Sequence, residues 1–268
     1  MTTKVLPISV CMIAGNEASR IRRSLESVAS WAGEIILVIN DDVNDGTDRI
    51  GMECGAKVFR EPWKGYRHQM NSAAEMAGQP WILAIDADEV ISPALAAEIQ
   101  TLFASPEKLA PFAAFSFPRC SFYCGRWIRH GDWYPDRKTR LWRRGQAHWG
   151  GEDPHYTLVV TGRTGKLKND LYHYTNESIN RHLHKITTFS DEFVRQRLAA
   201  GRLPSFFDVA FRPFWRFVRA YFFRLGFLDG WPGYYIAWLN AFSAVTRYCK
   251  LYEAQLAAPR KDEDIAHH

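Results

Sequence analysis

The chain has 268 residues, of which 47% are hydrophobic and 24% are charged, and its formal net charge is +5 at pH 7. This length is enough for one large domain, or one domain with an appendage, around a full hydrophobic core. The five cysteines are odd in number, and Cys120 and Cys124 have no matching Cys/His pair nearby, so we expect reduced cytosolic thiols and no structural zinc site. No uncharged apolar run approaches the roughly 18 residues of a membrane-spanning helix, and we expect no signal peptide.

The first half of the chain alternates short apolar runs with segments of helical periodicity. Strands are predicted at residues 8–13, 34–39, 57–59 and 81–85, and helices at 21–28 and 69–76. A further helix is expected to start at Ser92 and Pro93, with the serine as its N-cap and the proline in its first position. This alternation predicts an α/β fold whose sheet is mostly parallel and flanked by helices.

Two carboxylates follow the apolar strand at 81–85. Asp86 and Asp88 stand two residues apart, after an uncharged run that is typical of a strand buried on both faces. Open α/β sheets bind ligands at this end of their strands, where carboxylates can hold Mg²⁺ or Mn²⁺ together with water and substrate phosphates. A strand end followed by a helix cap would give the same residues, so the D-x-D motif alone does not decide between the two interpretations.

A polar loop follows the second strand. Asn40 and the acids and amides after it can reach a ligand at the same edge of the sheet, and Asp45 or Thr47 can cap the next helix. The chain has neither a G-x-G-x-x-G nor a G-x-x-x-x-G-K-[ST] motif, so the usual dinucleotide and P-loop cradles are missing. The phosphates of a bound nucleotide would need another partner, namely a cation on the two aspartates, helped by Lys64 or Arg67.

Short motifs follow one another in order through nearly the whole chain. In the first half they are Ile-Ser-Val-Cys-Met-Ile at 8–13, Asn-Glu at 16–17, Asp-Gly-Thr at 45–47, Gly-Ala-Lys-Val at 55–58, Gln-Met-Asn at 69–71 and Asp-Ala-Asp-Glu at 86–89. They continue at 125–131, 133–136, 140–141, 165–167, 173–174 and 227–230. Each motif is unspecific, but their order and spacing together resemble the family 2 glycosyltransferases of the GT-A fold, in particular the small lipopolysaccharide-core β-glucosyltransferases.

The resemblance implies a Rossmann-like GT-A sheet and a metal-dependent transferase that takes a hexose from a UDP-sugar and inverts the anomeric centre in one displacement. Asp86 and Asp88 would bind Mg²⁺ or Mn²⁺, which bridges the donor diphosphate and stabilises charge on the leaving phosphate. The residues implied in binding the nucleotide sugar are Asn16, Glu17, Asn40, Asp45, Lys64, Gln69 and Asp86. His173 would be a third metal ligand, as a late histidine is in some GT-A enzymes, or a structural residue.

Three positions depart from the pattern of the family. Asn40 stands where an aspartate usually grips the base or ribose, which removes a charge and leaves the donor open. Gly15 stands where lysine is common before Asn-Glu. Tyr156 follows His155 where the family often has an acid that is favoured as the catalytic base. The base is therefore expected among other residues nearby.

The predicted location of that base is the segment Trp-Gly-Gly-Glu-Asp-Pro-His at 149–155. Its glycines allow the backbone to approach a ligand closely, and its acids can take a proton from an acceptor hydroxyl about 3 Å away. We rank Asp153 first, Glu152 second and His155 third. Each of these residues is also compatible with a simple turn.

Residues 119–156 mix charged and aromatic side chains. Aromatic rings stack on sugar faces and arginine binds phosphate with paired hydrogen bonds, so this region is predicted to bind the acceptor. The residues concerned are Arg129, His130, Trp133, Tyr134 and Asp136. The alternative is a charged loop that packs over the sheet with buried tryptophans as anchors.

The composition of the chain changes near residues 201–204. Almost half of all aromatic residues lie between 205 and 256, where basic residues outnumber acidic ones. Two helices are predicted there, one opened by Pro213 and one at 234–256, with a break at Trp-Pro-Gly 231–233.

The first of these helices is expected to place Arg212, Arg216 and Arg219 on one face. The two predicted helices are too polar to span a membrane, and they are rich in aromatic rings. They therefore resemble interfacial helices, whose arginines face anionic lipid. Ordinary packing on the catalytic domain is the alternative interpretation.

The predicted organisation is a GT-A catalytic domain at 1–200, with a nucleotide-sugar half at about 1–105 and an acceptor half at about 106–200, then membrane-associating helices at 201–260 and a tail at 261–268. The enzyme is expected on the cytoplasmic face of the cell membrane, with a lipid-linked glycan such as the lipopolysaccharide inner core as acceptor. A polyprenyl-phosphate-linked acceptor is one alternative. A degenerate, non-catalytic binding module is another; the intact aspartates argue against it. Nucleic acid is not an expected partner, because no nucleic-acid-binding motif is present.

Overall fold

The computed structural model describes residues 4–152, 156–175, 178–201 and 205–257. Its strands are β1 (Leu6–Ala14), β2 (Ala32–Asn40), β3 (Lys57–Glu61), β4 (Trp81–Ala84), β5 (Glu89–Ile91), β6 (Ala114–Tyr123), β7 (Arg126–Ile128), β8 (Asp136–Arg143), β9 (Ala147–Gly150), β10 (Thr157–Val160), β11 (Thr164–Lys166) and β12 (Leu171–His173). Its helices are α1 (Ile21–Ala29), α2 (Thr47–Glu53), α3 (Tyr66–Glu75), α4 (Pro93–Phe103), α5 (Pro106–Leu109), α6 (Ile179–Ala199), α7 (Phe206–Val218) and α8 (Gly230–Ala257), with 3₁₀ turns at Gly131–Trp133 and Gly226–Asp229 and a π-helical turn at Arg219–Phe223. These elements form two compact units: unit 1 is Met1–Phe122 with Pro135–Thr175, and unit 2 is Tyr123–Tyr134 with Asn176–His268.

The central sheet of unit 1 is mixed. Its strand order is β3-β2-β1-β4-β8-β6-β12-β5, and β11 pairs with β6 beside this path. Strands β1 to β4 are parallel to one another, whereas β8 runs antiparallel to β4 and β6, and β5 runs antiparallel to β12. The predicted α/β fold with a mostly parallel sheet flanked by helices is therefore confirmed.

Apolar side chains place the parallel strands at the centre of unit 1. Every residue of β4 is buried, as is most of β1 and β2. Helix α1 adds Ile21, Leu25 and Val28, whose helical spacing puts them on one face, to the larger buried cluster. Met70 and Ala73 of α3 belong to a second cluster, which holds the alternate residues of the strands. The sheet is thus covered on both faces, and its ligand-accessible side is the edge where the strands end.

Local side-chain hydrogen bonds fix the start of α4 and the loop before α2. Ser92 Oγ accepts the N–H of Leu95 at 3.1 Å, and Pro93 occupies the first position of α4, as predicted. At α2 the N-cap is Gly46 and no side chain caps the helix, so the predicted capping by Asp45 or Thr47 was wrong; Asp45 Oδ1 instead accepts the N–H of Thr47, the first helical residue, at 3.0 Å. The serine cap sets where α4 begins, and the Asp45 contact orders the loop that leads into α2.

The predicted role of Pro213 in unit 2 was wrong. Pro213 lies inside α7, whose start is fixed by a capping box: Ser205 Oγ accepts the N–H of Asp208 at 3.2 Å, and Asp208 Oδ2 accepts the N–H of Ser205 at 3.0 Å. This reciprocal pair satisfies two N–H groups that would otherwise lack a partner, so the helix begins well before the proline.

The predicted break at 231–233 was also wrong, because these residues form the first turn of α8. Proline is tolerated there, since its missing N–H would have no partner within the helix. A Cβ on Gly233 would lie 2.0 Å from Gly226 O, so this glycine allows α8 to contact the preceding 3₁₀ turn. Over the residues that the structure describes, we find no helix with both the length and the apolar character needed to cross a membrane.

Candidate functional site

A cleft of about 630 Å³ opens in unit 1 at the carboxyl ends of β1, β2 and β4. Its lining residues are Ile13, Ala14, Gly15, Glu17, Arg20, Asn40, Asp42, Trp63, Tyr66, Met70, Asp86, Ala87, Asp88, Tyr156 and His173. Four residues predicted to bind the donor or its metal, namely Glu17, Asn40, Asp86 and Asp88, lie in it together. Parallel strands end at one edge of a sheet, which explains why side chains so far apart in sequence meet here.

A buried arginine holds the first aspartate. Arg140 Nη2 lies 2.8 Å from Asp86 Oδ2 and 3.6 Å from Glu89 Oε1. Glu89 is fully buried, and its Oε2 accepts the backbone N–H of Asp86 at 3.0 Å. Burial raises the pKa of Glu89, but the guanidinium groups of Arg140 and Arg119 outweigh it and hold that pKa below its usual range. Glu89 is therefore an ionised anchor that positions both Arg140 and the backbone of Asp86.

The same network extends to a residue predicted to bind the acceptor. Arg119 donates from Nη1 to Glu89 Oε1 at 3.2 Å, and from Nε and Nη2 to Asp136 Oδ2 at 3.0 and 2.8 Å. Lys138 Nζ lies 3.1 Å from Asp136 Oδ1. Burial opposes ionisation of Asp136, but Arg119 and Lys138 outweigh it, so the pKa of Asp136 is lowered. Asp136 is thus engaged with cations of the protein itself.

The second aspartate, Asp88, contacts a histidine that lies near the C-terminal end of the sequence of unit 1. His173 Nε2 and Arg20 Nη1 each lie 3.5 Å from Asp88 Oδ2. Strand β12 delivers this histidine, because it pairs with β5 and sets His173 opposite Glu89. Burial opposes ionisation of Asp88, but His173 and then Arg20 outweigh it and lower its pKa.

The donor atoms at this edge can be compared with the needs of a divalent cation. No group of three or more His, Cys, Asp or Glu side chains in the described ranges is arranged to hold a metal ion. Asp88 and His173 nevertheless offer a carboxylate and an imidazole to the cleft, and Asp86 offers a carboxylate with Oδ2 engaged by Arg140. Such donors suit Mg²⁺ or Mn²⁺ when substrate oxygens and water complete the shell. The residues therefore fit a cation that binds together with an anionic ligand.

Hydrogen bonds join the loop after β1 to the loop after β2. They run from the N–H of Glu17 to Thr47 Oγ1 at 2.8 Å, from the N–H of Ala18 to Asp45 Oδ2 at 2.9 Å, and from the N–H of Asn44 to Asn16 Oδ1 at 3.2 Å. Asn16 and Asp45, which were predicted to bind the nucleotide sugar, are thus ties between the two loops and are not among the residues that line the cleft.

Two further predicted nucleotide-sugar residues lie outside the cleft lining. Lys64 Nζ is 2.9 Å from Glu61 Oε2 and also donates to Ser72 Oγ. Gln69, on α3, is fully buried, and neither of its amide atoms has a hydrogen-bond partner among the described residues. Its neighbours on the same helix, Tyr66 and Met70, do line the cleft.

An aromatic wall is the part of the cleft that the sequence did not lead us to expect. Tyr66 and Tyr156 stack with ring centroids 5.9 Å apart and planes 19° apart, and Trp63 meets Tyr66 edge-on at 4.8 Å. Trp63 and Tyr66 remain about half exposed. Flat, accessible rings of this kind offer a stacking surface to a planar ligand. The sequence feature that could have predicted this wall is the presence of two aromatic residues, Trp63 and Tyr66, in the polar segment after β3.

A second cavity of about 430 Å³ shares Asp86 and Tyr156 with the cleft. Its lining residues are Asp86, Arg119, Arg137, Lys138, Thr139, Arg140, Trp149, Tyr156, Thr157 and Leu158. The pairing of β6 with β8 passes from Leu141 to Thr139 and skips Arg140, which identifies a bulge at that residue. Arg140 Nη1 is buried and has no hydrogen-bond partner among the residues that the structure describes. This cavity therefore presents a basic surface next to the carboxylates of the cleft.

None of the remaining predicted residues that the structure describes lines the cleft. Glu152 is exposed, whereas Asp153 and His155 lie outside the described residues. The acceptor residues predicted at 129–134 belong to unit 2. There, Asp229 Oδ2 accepts the N–H groups of Arg129 and His130 at 3.0 and 2.8 Å, and Asp229 Oδ1 lies 2.9 Å from His130 Nδ1.

Two aromatic acceptor candidates lie in the same segment of unit 2. The ring of Trp133 packs edge-on against Tyr123 at 5.0 Å, and Tyr134 follows it directly in the chain.

Comparison with known proteins assigns this arrangement to a family. Residues 9–162 match the family model described as "Glycosyl transferase family 2". An uncharacterized glycosyltransferase of Rickettsia typhi is 31% identical over 258 residues, which cover 93% of this chain and 88% of the relative. The lipopolysaccharide core biosynthesis glycosyltransferase LpsC of Rhizobium meliloti is 27% identical over 271 residues, which cover 98% of both chains.

A solved structure supports the fold. The S. aureus TarS fragment 1–349, crystallised in complex with UDP-GlcNAc, superposes with a TM-score of 0.50 over 94% of this chain and 92% of that chain. The two sequences are 13% identical, so the likeness concerns the architecture of the sheet and its helices.

Proposed function

The chain belongs to glycosyl transferase family 2 and is a glycosyltransferase, and we propose that it moves a hexose from a UDP-sugar to a lipid-linked glycan of the lipopolysaccharide core type. One observation carries the proposal: the cleft at the carboxyl edge combines the carboxylates of Asp86 and Asp88 with an open aromatic wall. A nucleoside diphosphate sugar has a planar base and a charged diphosphate, and these two surfaces match it.

On the donor side, the base stacks on the wall of Trp63 and Tyr66, while Glu17 and Asn40 contact base or ribose. TarS supports the choice of a uridine nucleotide, because this protein of the same fold was crystallised in complex with UDP-GlcNAc. Asn40 offers hydrogen bonds without the charge of an aspartate, so its own contact to base or ribose is a neutral one. Four other residues predicted to bind the donor support, in this proposal, the loops and α3 around the cleft. They are Asn16, Asp45, Lys64 and Gln69.

On the diphosphate side, Asp88 with His173, and Asp86, would hold Mg²⁺ or Mn²⁺. A bound cation neutralises charge that grows on the leaving diphosphate. Arg140 keeps Asp86 in place, and buried Glu89 keeps Arg140 in place. These contacts prepare the carboxylates before the donor arrives, which saves reorganisation during the reaction.

The chemical step is a direct displacement. A carboxylate removes the proton of the acceptor hydroxyl, the hydroxyl oxygen bonds to the anomeric carbon, and the bond from that carbon to the diphosphate oxygen breaks. The configuration at the anomeric carbon is inverted. We keep Asp153 as the first candidate for the base, with Glu152 and His155 after it; Asp153 and His155 lie outside the described residues.

The acceptor site is proposed at the second cavity, because it shares Asp86 and Tyr156 with the donor cleft. Its basic lining suits an acceptor that carries acidic groups. The name of LpsC, a relative along nearly the full length of both chains, supports a lipopolysaccharide core acceptor. A polyprenyl-phosphate-linked acceptor is the alternative. Direct contact of the acceptor with Arg129, His130, Trp133, Tyr134 and Asp136 stays a prediction.

A lipid-linked acceptor requires the enzyme to work at a membrane. We propose that unit 2 associates with the cytoplasmic face of the cell membrane through its aromatic and basic helices. Phe206, Phe214 and Trp231 of these helices are well exposed, which is costly in water and favourable at a headgroup layer.

The proposal is tested by transfer. Purified protein is incubated with Mn²⁺, a panel of labelled UDP-hexoses and a truncated lipooligosaccharide, and the acceptor is weighed by mass spectrometry. Addition of one hexose, lost in Asp88→Ala, is the expected result. Binding of UDP without transfer to a lipooligosaccharide or a polyprenyl-phosphate-linked acceptor would instead support a non-catalytic binding module.

A further inference from the structure

Unit 2 contains a cavity whose lining is dominated by arginine. Helices α6, α7 and α8, with the π-helical turn after α7, enclose about 500 Å³. The arginines that line it are Arg197, Arg212, Arg216, Arg219 and Arg247. The other lining residues are Phe193, Phe207, Phe211, Trp215, Ala244 and Tyr248. The cavity therefore combines five cationic groups with aromatic walls, and none of the described residues that line it is acidic.

Carboxylates compensate only two of the five charges. Arg212 Nε lies 2.5 Å from Asp208 Oδ1, and Arg219 Nη2 lies 2.9 Å from Asp132 Oδ1. Asp132 is shared, because Arg224 Nη1 is 3.3 Å from the same oxygen. Arg219 also keeps a buried Nε with no hydrogen-bond partner among the described atoms.

The other three arginines have no carboxylate partner among the described residues. Arg247 donates only to Ser243, from Nε to the carbonyl at 3.2 Å and from Nη2 to Oγ at 3.1 Å. The guanidinium groups of Arg197 and Arg247 both lie over the ring of Phe193, at 5.1 and 5.2 Å from its centroid. Burial, and then the nearby positive charge of Arg216, lower the pKa of Arg247.

Grouped cations without counter-charges are unfavourable for the folded chain and favourable for an anion. We propose that this cavity binds the phosphate group of an anionic membrane lipid. Guanidinium groups bind phosphate oxygens with paired hydrogen bonds. The positive charges of Arg197, Arg216 and Arg247 are not compensated by a carboxylate among the described residues, so these three arginines are available to a phosphate.

The surroundings of the cavity favour a lipid as the source of the phosphate. Phe207, Phe211 and Trp215 line the cavity and are themselves about half exposed. Next to them on α7, Phe206 is 82% exposed and Phe214 63% exposed. A free phosphate ion would gain nothing from these rings, whereas a lipid brings acyl chains and a glycerol backbone to cover them.

This inference rests on the membrane association proposed above and makes it more specific, but it does not depend on sugar transfer. Diffuse attraction to an anionic surface depends on how many basic residues face the surface. Lipid binding in a defined cavity depends instead on which particular arginines line the cavity. The two accounts therefore predict different results for variants that remove the same charge.

The experiment measures flotation of the full chain with phosphatidylcholine vesicles, with and without phosphatidylglycerol. The variants are Arg216→Gln and Arg247→Gln, and the control of equal charge is Arg195→Gln, a 78% exposed side chain on α6 that pairs with Glu192. We expect each cavity variant to weaken binding to anionic vesicles about tenfold, the control to weaken it less than about twofold, and Arg216→Lys to restore only part of the loss. Equal weakening in cavity and control variants would overturn the proposal.

Two further measurements keep the result interpretable. Thermal unfolding of each cavity variant is expected at or above that of the wild type, because removing one cation relieves repulsion among the others. Calorimetry with inorganic phosphate distinguishes the sources: tight phosphate binding that is lost in the cavity variants, with no effect on flotation, would overturn the lipid assignment. Calorimetry with UDP reports separately on the nucleotide cleft, so failure there leaves the vesicle result readable.

Discussion

The guanidinium of Arg140 lies within reach of two carboxylates, 2.8 Å from Asp86 in the cleft and 3.6 Å from Glu89 beneath it. This relationship ties a residue at the ligand-accessible edge to the interior of unit 1. Glu89 in turn accepts the backbone N–H of Asp86. The position of Asp86 is therefore set by buried charges as well as by its strand.

The first prediction concerns the cost of breaking this network. Arg140→Ala leaves the buried Glu89 with Arg119 as its remaining cationic neighbour and removes the guanidinium that pairs with Asp86, so we expect the free energy of unfolding to fall by about 3–5 kcal/mol. Urea unfolding checks this value. Arg137→Ala, on the same strand but exposed and bonded to backbone carbonyls, is the control and should cost less than about 1 kcal/mol. Similar costs for the two variants would refute the role given to Arg140.

The second prediction concerns the aromatic wall. Tyr66→Ala removes a stacking surface, and we expect the dissociation constant of UDP to rise about tenfold, because stacking on an aromatic ring is worth about 1–3 kcal/mol per base. Calorimetric titration gives the constant. Phe59→Ala on β3, partly exposed but not among the lining residues, should leave UDP affinity unchanged. Equal affinities of the wild type and Tyr66→Ala would show that the base lies elsewhere.

The third prediction uses the pH dependence of stability. Glu34 Oε1 accepts from Ser9 Oγ and the N–H of Gly78, both at 2.6 Å, and Oε2 lies 2.7 Å from Lys57 Nζ. Burial opposes ionisation, but these partners lower the pKa of Glu34 to about 2. A lowered folded-state pKa stabilises the protein fully above the unfolded-state pKa of about 4.3, and this stabilisation is lost as the pH falls toward 2.

We therefore expect Glu34→Gln to lower the free energy of unfolding by about 2 kcal/mol near neutral pH, and by about half as much near pH 3. Urea unfolding at both pH values measures the difference. Glu53→Gln, whose ion pair with Arg22 is about half exposed, is the control and should change stability by less than about 0.5 kcal/mol. A cost for Glu34→Gln that does not change with pH would contradict the assignment.

The fourth prediction concerns the contact of α8 with the turn before it. Alanine normally stabilises a helix relative to glycine by about 1 kcal/mol, but a Cβ on Gly233 would meet Gly226 O at 2.0 Å. Gly233→Ala should therefore destabilise unit 2 by about 2 kcal/mol or more. Thermal unfolding followed by tryptophan fluorescence measures the effect. Gly15→Ala, where a Cβ would have open space, should be neutral; a stabilising Gly233→Ala would contradict the packing.

Much of the parallel half of the sheet could be predicted from the sequence. The apolar runs at 34–39 and 81–85 fall in β2 and β4, and the polar residues after them reach one edge, because neighbouring parallel strands end on the same side. The start of α4 at Ser92 and Pro93 could also be predicted, since a serine cap and a first-turn proline act locally.

The contacts that complete the cleft could not be predicted in this way. His173 reaches Asp88 because β12 pairs antiparallel with β5, and Arg140 turns toward Asp86 at a bulge in β8. Both depend on strand pairings between distant parts of the chain, which local patterns do not specify. The start of α7 was mispredicted for a different reason. The capping box of Ser205 and Asp208 is a local sequence signal, and it marks the start of the helix, whereas Pro213 lies inside it.

The central claim is that a nucleoside diphosphate binds at Asp86 and Asp88 together with a divalent cation. The most direct test is calorimetric titration of UDP with Mn²⁺ and with EDTA, on the wild type and on Asp88→Ala. Asp41→Ala, an exposed acid at the end of β2 that does not line the cleft, is the control. We expect binding that requires Mn²⁺, weakens at least about tenfold in Asp88→Ala and is unchanged in Asp41→Ala. UDP binding that is indifferent to Mn²⁺ and to Asp88, or no binding by the wild type, would contradict the account.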